Sequence, residues 1–245
     1  MLALSLERVC LFALSQPSEL KFPPYTNSIN NRVRKDEGVL KVAINLVKGQ
    51  KIDLTKGRDS LSSIMVGLGW DPIETKKSGG FLSSLLGGGG GGADIDCDAS
   101  VIMLDENGKL KGKENLIYFG NKQSRDGSVV HSGDNLTGEG EGDDETINID
   151  LKRISPSIHR LIFVVNIYNA KQKKQDFGMI ENAFIRLVDN QSKEELVHYN
   201  LTENYSGKTS LITGELYRQG SEWKFSAVGE GTTDSDIGSI ANKYV

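Results

Sequence analysis

The sequence predicts an all-β protein, a β-sandwich of about ten short strands with a short C-terminal helix. Apolar runs rich in β-branched residues recur about every ten to fifteen residues after position 41, and turn-forming residues separate them. Helical sequence is confined mainly to residues 234–244, which begin with acidic side chains. A chain of 245 residues is long enough to bury a substantial core.

The predicted strands share a short length, apolar or alternating side chains, and Gly, Asn, Asp or Ser at their boundaries. They are residues 42–47, 64–70, 94–104, 116–119, 146–151, 161–168, 183–188, 196–201, 211–217 and 223–228. Residues 177–182 are expected to form a turn, and residues 234–244 the C-terminal helix.

The chain is expected to hold one folded domain, residues 41–245, after an extension. Residues 1–40 contain Pro17, Pro23 and Pro24 and show no sustained periodicity, so we expect this extension to be poorly ordered. Residues 76–92 end in six consecutive glycines and interrupt the strand pattern, so we expect a Gly-rich mobile loop inserted in the domain.

Composition excludes several classes of protein. No stretch of 18 apolar residues occurs and the N-terminus lacks a basic region before its apolar residues, so we expect a cytoplasmic protein without direct membrane insertion. Cys10 and Cys97 lie far apart in different contexts, which argues against a disulfide framework or a thiolate zinc site.

Negative charge is concentrated in one segment, although the net charge of the chain is only −4. Residues 126–150 contain eight carboxylates and no Lys or Arg. We expect no nucleic acid partner, because no basic stripe with interleaved aromatic residues is present and this segment would repel phosphate. The sequence also shows no arginine cluster that would bind an oxyanion.

A first group of carboxylates, Asp94, Asp96 and Asp98, comes at the start of a predicted buried strand. The period of two along a strand places all three on one face, with Cys97 on the other. Three adjacent like charges repel unless solvent or a cation compensates them. The alternative is a solvated strand end with no ligand.

A second group lies in residues 133–145, where glycines alternate with oxygen donors. Glycine allows backbone carbonyls to turn toward a cation, and a hard cation needs six to eight oxygen ligands. The two groups supply enough carboxylates for two ions. Ca²⁺ suits so many carboxylates better than Mg²⁺, and His131 is the only nearby nitrogen ligand for a softer metal. A flexible acidic loop is the alternative.

Catalytic and nucleotide-binding motifs are not supported by their contexts. The glycine run precedes a strand rather than a helix, and residues 94–105 lack the glycine and glutamate of an EF-hand loop. His131, His159 and His198 have no Ser or Cys partner at a motif spacing, so we expect structural roles for them. We therefore expect a protein that is not an enzyme.

Six motifs, in the same order along the chain, resemble the TerD family of tellurium-resistance and general stress proteins. They are GLGWD at 67–71, DIDCDAS at 94–100, the acidic segment 126–145, AFIRLV at 183–188, GELYR at 214–218 and EWKF at 222–225. The resemblance covers roughly residues 42–244; the extension before residue 42 and the long 76–92 segment depart from the family pattern.

The resemblance implies a β-sandwich with two adjacent Ca²⁺ ions that share the loop 133–145. The ligands it implies are Asp71, Asp94, Asp96, Asp134, Asn135, Asp143, Asp144 and Glu145, with oxygens near Gly138 and Glu139. Asp98 and Glu141 are further candidates. It also implies a bacterial or phage-associated cytoplasmic protein that works with other tellurium-resistance proteins, including membrane-bound partners.

The function we expect is a calcium-binding, non-enzymatic sensor or scaffold in tellurite resistance and the stress response. The alternative is a small-ligand protein, similar to a cyclic-nucleotide-binding relative of the family, in which bound Ca²⁺ contacts the ligand. A metal-dependent hydrolase would in addition need an open coordination position and a base.

Overall fold

The computed structural model describes residues 43–73, 95–133 and 142–245, which form two six-stranded β-sheets. The first sheet has the order β1 (Ile44–Leu46), β10 (Glu195–Asn200), β9 (Ile180–Asp189), β3 (Ser63–Pro72), β7 (Glu145–Asp150), β6 (Val129–His131). The second has the order β2 (Lys51–Asp53), β12 (Glu222–Thr232), β11 (Ser210–Gln219), β8 (Arg160–Ile167), β4 (Cys97–Leu104), β5 (Leu116–Ile117). Neighbouring strands are antiparallel except β1 and β10, which are parallel.

Helical segments in the described residues are short. The α-helices are α1 (Ala170–Lys173) and α2 (Ile237–Ala241), and 3₁₀ turns occupy Lys113–Asn115, Phe177–Met179 and Asn242–Tyr244. The Asp236 side chain caps α2 by accepting a hydrogen bond from the Ser239 backbone N–H at 2.7 Å.

The main core lies between the sheets. Ile64, Val66 and Leu68 of β3 alternate inward, and they belong to one buried cluster with Phe163 and Phe225 of the opposite sheet. The alternation follows from the period of two along each strand.

A smaller apolar cluster lies on the outer face of the second sheet, under α2. Ile102 and Leu104 of β4 pack there with Ile162, Val164 and Ile240. β4 and β8 are therefore buried on both faces, which explains their continuous apolar sequence.

The predicted all-β sandwich is confirmed, and each of the ten predicted runs overlaps a strand. The sequence analysis missed β2 and β6, which have three residues each. The C-terminal helix is shorter than predicted because α2 ends at Ala241 and continues as a 3₁₀ turn. The predictions for residues 1–40 and 76–92 concern segments outside the described residues.

The register of β3 and β7 determines which carboxylates come together. These strands are antiparallel and Leu68 pairs with Glu145, so the end of β3 lies beside the start of β7. Asp71, Asp143 and Asp144 are consequently at the same end of the sandwich. We call the end that holds Asp71, Asp96, Asp143, Asp144 and Glu145 the acidic end.

Candidate metal centre

Asp144 lies at the centre of the acidic end. Its backbone N–H donates to the Leu68 carbonyl at 2.8 Å, and its Oδ2 accepts from the Trp70 backbone N–H at 2.7 Å. Burial raises the pKa of Asp144 to about 6, and the charges of Asp71, Asp143 and Glu145 add to that rise against the effect of the Trp70 hydrogen bond. This carboxylate is therefore in a position where a cation would stabilise its charged form.

Asp143, the preceding residue, is neutralised by an arginine. Arg186 Nε donates to Oδ1 at 2.7 Å and Arg186 Nη2 donates to Oδ2 at 2.8 Å, a bidentate pair. The carboxylate lies directly on β3, because a Cβ at Gly67 would come within 2.1 Å of Asp143 Oδ1. A residue with a side chain at position 67 would displace Asp143 from this position.

Arg186 also connects Asp143 to an ion-pair network on the outer face of the first sheet. Its Nη1 donates to Glu195 Oε2 at 3.0 Å, and the other oxygen of Glu195 is 2.8 Å from His198 Nδ1. The hydrogen bonds to Asp143 raise the pKa of Arg186, and the bond to Glu195 raises the pKa of His198. His198 also stacks on the Phe184 ring, with 5.1 Å between the centroids.

Glu145 faces the interior and joins the two sheets. Its Oε2 accepts from the Ala99 backbone N–H at 2.6 Å, while His131 Nε2 lies 3.0 Å from the Ala99 carbonyl oxygen and 3.3 Å from Glu145 Oε2. Both side chains are fully buried. Ala99 pairs with Val165 of β8 on one side, but β5 pairs with β4 only at Val101 and Ile102. On the β5 side, the two side chains therefore supply the hydrogen-bond partners of Ala99.

The role of His131 is therefore structural, as the sequence analysis expected. The Gly133 backbone N–H donates to His131 Nδ1 at 3.0 Å, so Nδ1 is the acceptor and Nε2 carries the proton. Both ring nitrogens are engaged in hydrogen bonds. The donors at the acidic end are thus oxygens, which suits a hard cation rather than zinc.

The remaining described carboxylates lie at the edges of the acidic end. Asp71 Oδ2 accepts from Asn182 Nδ2 at 2.9 Å, and Asp96 Oδ2 is 4.0 Å from Lys173 Nζ of α1. Asp98, within β4, is 5% exposed and its Oδ2 is 3.4 Å from Asn166 Nδ2. Asp96 precedes the strand, so of these two described carboxylates only Asp98 has the predicted strand position.

The structure brings together five of the ten predicted ligands: Asp71, Asp96, Asp143, Asp144 and Glu145. Asp94, Asp134, Asn135, Gly138 and Glu139 lie outside the described residues, as does Glu141. Within the described ranges, no group of three or more His, Cys, Asp or Glu side chains is arranged to hold a metal ion. The ligand set consequently remains a prediction.

Cys97 points into the core between the sheets and is fully buried. Burial raises the pKa of its thiol well above the ordinary value, and the charges of Asp98 and Asp96 raise it further. Its inward position, on the face of β4 opposite Asp98, agrees with the sequence analysis.

Two functional features were missed by the sequence analysis. Arg186 lies within the AFIRLV motif, but only the pairing of Gly67 with Arg186 across β3 and β9 shows that it reaches Asp143. The contact between Glu145 and Ala99 crosses from one sheet to the other, and no spacing in the sequence signals it.

No helix in the described part of the chain is long and apolar enough to span a membrane.

Comparison with known proteins shows which family this chain resembles. Residues 42–244 match the TerD domain. The stress response protein SCP2 of Bacillus subtilis is 62% identical over 204 residues, which cover 83% of this chain and 100% of that protein. The tellurium resistance protein TerD of Serratia marcescens is 42% identical over 203 residues, covering 83% of this chain and 97% of that protein.

A solved structure shares the fold. The crystal structure of a homologue of the telluride resistance protein TerD from Streptomyces coelicolor A3(2) superimposes with a TM-score of 0.53 at 23% identity. It covers 74% of this chain and 95% of that one. The matched domain, the identities and the two-sheet architecture together establish that this chain belongs to the TerD family.

Proposed function

We propose that the protein is a calcium-binding, non-enzymatic sensor or scaffold in a stress-response and tellurite-resistance system. The names of its relatives support the stress and tellurium-resistance part of this proposal. Calcium binding is supported by the concentration of carboxylates at the acidic end.

The observation that carries the proposal is the environment of Asp144. It adjoins Asp71, Asp143 and Glu145. In the described residues, Arg186 is the one arginine that pairs with these carboxylates, and it binds both oxygens of Asp143. A bound cation would remove the remaining repulsion and would favour the charged form of Asp144.

All five described carboxylates of the acidic end are proposed ligands. Asp94, Asp134, Asn135, Gly138 and Glu139 complete the proposed set for two Ca²⁺ ions. Asp143 and Glu145 remain proposed ligands, although each already holds one structural contact, with Arg186 and with the Ala99 backbone. Each therefore also fixes the position of the loop that both ions share.

The proposed partners are other tellurium-resistance proteins, membrane-bound ones among them, and the proposed location is the cytoplasm. Relatives that carry the names TerD, TerZ and TerX support such a group of proteins. Calcium would act by setting the conformation of the loop 133–145 that these partners recognise.

Calorimetric titration of the metal-free full chain with Ca²⁺ tests the proposal. We expect two ions to bind, and a melting temperature that rises with Ca²⁺ and much less with Mg²⁺. At a hundredfold excess over the dissociation constant, each site would stabilise the fold by about 2.7 kcal/mol.

Two variants define the site in the same experiment. Asp144→Ala should impair both ions, because the ions share the loop, whereas Glu106→Gln at the opposite end of β4 should leave binding unchanged. An unchanged melting temperature from chelator to millimolar calcium would refute calcium binding. Loss of one ion alone in Asp144→Ala would refute the shared loop.

A further inference from the structure

A basic cleft lies at the end of the sandwich opposite the acidic end. It has a volume of about 440 Å³ and is formed by the segment after β2, the turn after β7 and the β11–β12 turn. Arg58, Lys152, Arg153 and Arg218 line it, and Trp223 forms part of its wall. The sequence shows no arginine cluster because these residues are far apart along the chain, but the fold brings them together.

Backbone carbonyls hold two of these arginines in place. Arg58 Nη1 donates to the Leu54 carbonyl at 3.0 Å, and Arg153 Nη2 donates to the Asp126 carbonyl at 2.7 Å. In the described part of the chain, none of the ion pairs involves any of the four cations of the cleft. The two arginines are therefore held in position, while the four charges stay uncompensated by a direct carboxylate contact in the described residues.

Arg218 is the most strongly positioned of the four. Its Nε and Nη2 donate to the carbonyls of Ile158 and Ile154 at 2.9 and 3.0 Å, and its guanidinium lies 4.3 Å from the centroid of the Trp223 ring. Burial lowers the pKa of Arg218, and no carboxylate in the described residues acts to raise it. An anion in the cleft would offset this cost of desolvation.

The balance of charge in the cleft specifies the anion. Asp59 and Glu222 also line it, so four cations face two carboxylates. Glu222 accepts a hydrogen bond from the Thr55 hydroxyl and is directed to that group. The excess of two positive charges matches a phosphate monoester, which carries about −1.5 to −2 at neutral pH.

The size and remaining surface of the cleft favour an organic ligand over free phosphate. A volume of about 440 Å³ lies within the range of about 300–1,000 Å³ that is typical of small-molecule sites. Leu61, Ile154 and Pro156 supply apolar lining beside the cations. We propose that this cleft binds the phosphate group of a small phosphate monoester, with the organic part against the apolar residues.

Binding to the metal-free full chain tests the proposal, since metal-free protein excludes an anion held by Ca²⁺ at the acidic end. The probes are phenyl phosphate, inorganic phosphate, benzoate and phenol, each titrated by calorimetry and by NMR. We expect saturable binding of one phenyl phosphate per chain, weaker binding of inorganic phosphate and benzoate, and none of phenol.

Variants locate the site. Arg58→Gln should weaken phenyl phosphate binding roughly tenfold or more, as expected for the loss of a charge-assisted hydrogen bond. Lys152→Gln should weaken it severalfold without affecting folding, because Lys152 is exposed and its contact in the described residues is a backbone one, from its N–H to Asp150. Lys171→Gln on α1 removes the same charge at the acidic end and should leave binding unchanged.

Three results would overturn the proposal: no saturable binding of phenyl phosphate, equal weakening by Lys171→Gln, or tighter binding of benzoate than of phenyl phosphate. The second result would indicate a non-specific effect of net charge, and the third a carboxylate site. Calcium binding at the acidic end is measured separately, so failure here leaves that proposal unaffected.

Discussion

The two ends of the sandwich carry opposite charges, and the charged side chains have different partners at each end. At the basic cleft, Arg58 and Arg218 are held by backbone carbonyls, so the cations are in position without any ligand. At the acidic end, Arg186 pairs with Asp143 but not with Asp144, whose pKa is raised to about 6 by burial and by the charges of Asp71, Asp143 and Glu145. The difference indicates a preformed anion site at one end and, at the other, a cluster that a cation would complete.

The acidic end is itself divided, because three consecutive carboxylates have three environments. Asp143 pairs with an arginine, Asp144 adjoins other carboxylates, and Glu145 is buried with Ala99 and His131. Sequence analysis assigned all three the same role as ligands. Their different partners mean that substitutions at these positions should have different and separable effects.

The largest effect is expected from Glu145→Ala. Removing this fully buried side chain leaves the Ala99 N–H without its acceptor and opens a cavity, which together should cost about 3–5 kcal/mol of unfolding free energy. Chemical denaturation of the metal-free protein measures this value.

The matched control for that experiment is Glu106→Gln, an exposed residue after β4 that should change stability by less than about 0.5 kcal/mol. If metal-free Glu145→Ala is as stable as the wild type, Glu145 acts only through a metal and its contact with Ala99 contributes nothing.

Asp144→Asn should have effects of opposite sign with and without Ca²⁺. In the metal-free protein it removes a charge that burial and neighbouring carboxylates disfavour, so the melting temperature should rise above that of the wild type at pH 7. With Ca²⁺ in excess, the variant should lack the stabilisation of about 2.7 kcal/mol per site that the wild type gains.

The pH dependence of the metal-free protein tests the same assignment. The pKa of Asp144 is higher in the folded protein, about 6, than its ordinary value, so the folded state binds more protons between the two values. Wild-type stability should therefore fall as pH rises from about 4 through about 6, and Asp144→Asn should lack this component. Identical pH profiles for the two proteins would contradict the assignment.

Much of the fold could be predicted from the sequence because alternating or continuous apolar runs report burial directly. β7 alternates buried and more exposed residues, and β4 is buried throughout, so both were found. β2 and β6 were missed because three residues are too few to show a period. Among the carboxylates of the candidate centre, Asp143, Asp144 and Glu145 lie in the carboxylate-rich residues 126–150, which is why the sequence pointed to them.

The partners of those carboxylates were not predictable, because they depend on register and on contacts between sheets. Arg186 reaches Asp143 since β9 pairs with β3 at Gly67, a position where the absent side chain makes room. The basic cleft shows this more clearly, because Arg58 lies in the connection between β2 and β3, Arg153 in the turn after β7 and Arg218 near the end of β11. A charge count along the sequence cannot reveal such a site.

A smaller effect is expected from His198→Gln, which tests the network that compensates Asp143. The bond to Glu195 raises the pKa of His198, so its contribution to stability is complete below the ordinary histidine value of about 6.5 and is lost as pH rises through the raised value. The variant should lose less than about 1 kcal/mol at pH 5.5 and almost nothing at pH 8.5.

The control for this prediction is His159→Gln, since no carboxylate contact of His159 occurs in the described residues. Equal losses at both pH values in His198→Gln would show that the ring acts by stacking on Phe184 rather than by charge.

The smallest expected effect is on tellurite reduction, where the protein should not differ from a protein-free control. Reduction requires an accessible thiolate, and Cys97 is fully buried with a pKa raised by burial and by Asp98 and Asp96. Cys10, the other cysteine of the chain, lies outside the described residues, so both positions enter the test.

Purified protein is incubated with tellurite, a thiol reductant and Ca²⁺, and formation of elemental tellurium is followed over time. If tellurium forms faster than in the control and the combined Cys10→Ser and Cys97→Ser variant loses that advantage, the protein acts by direct chemistry. Equal rates agree with resistance that operates through partners, because neither the buried thiol nor the negative charge of the acidic end favours reaction with an oxyanion.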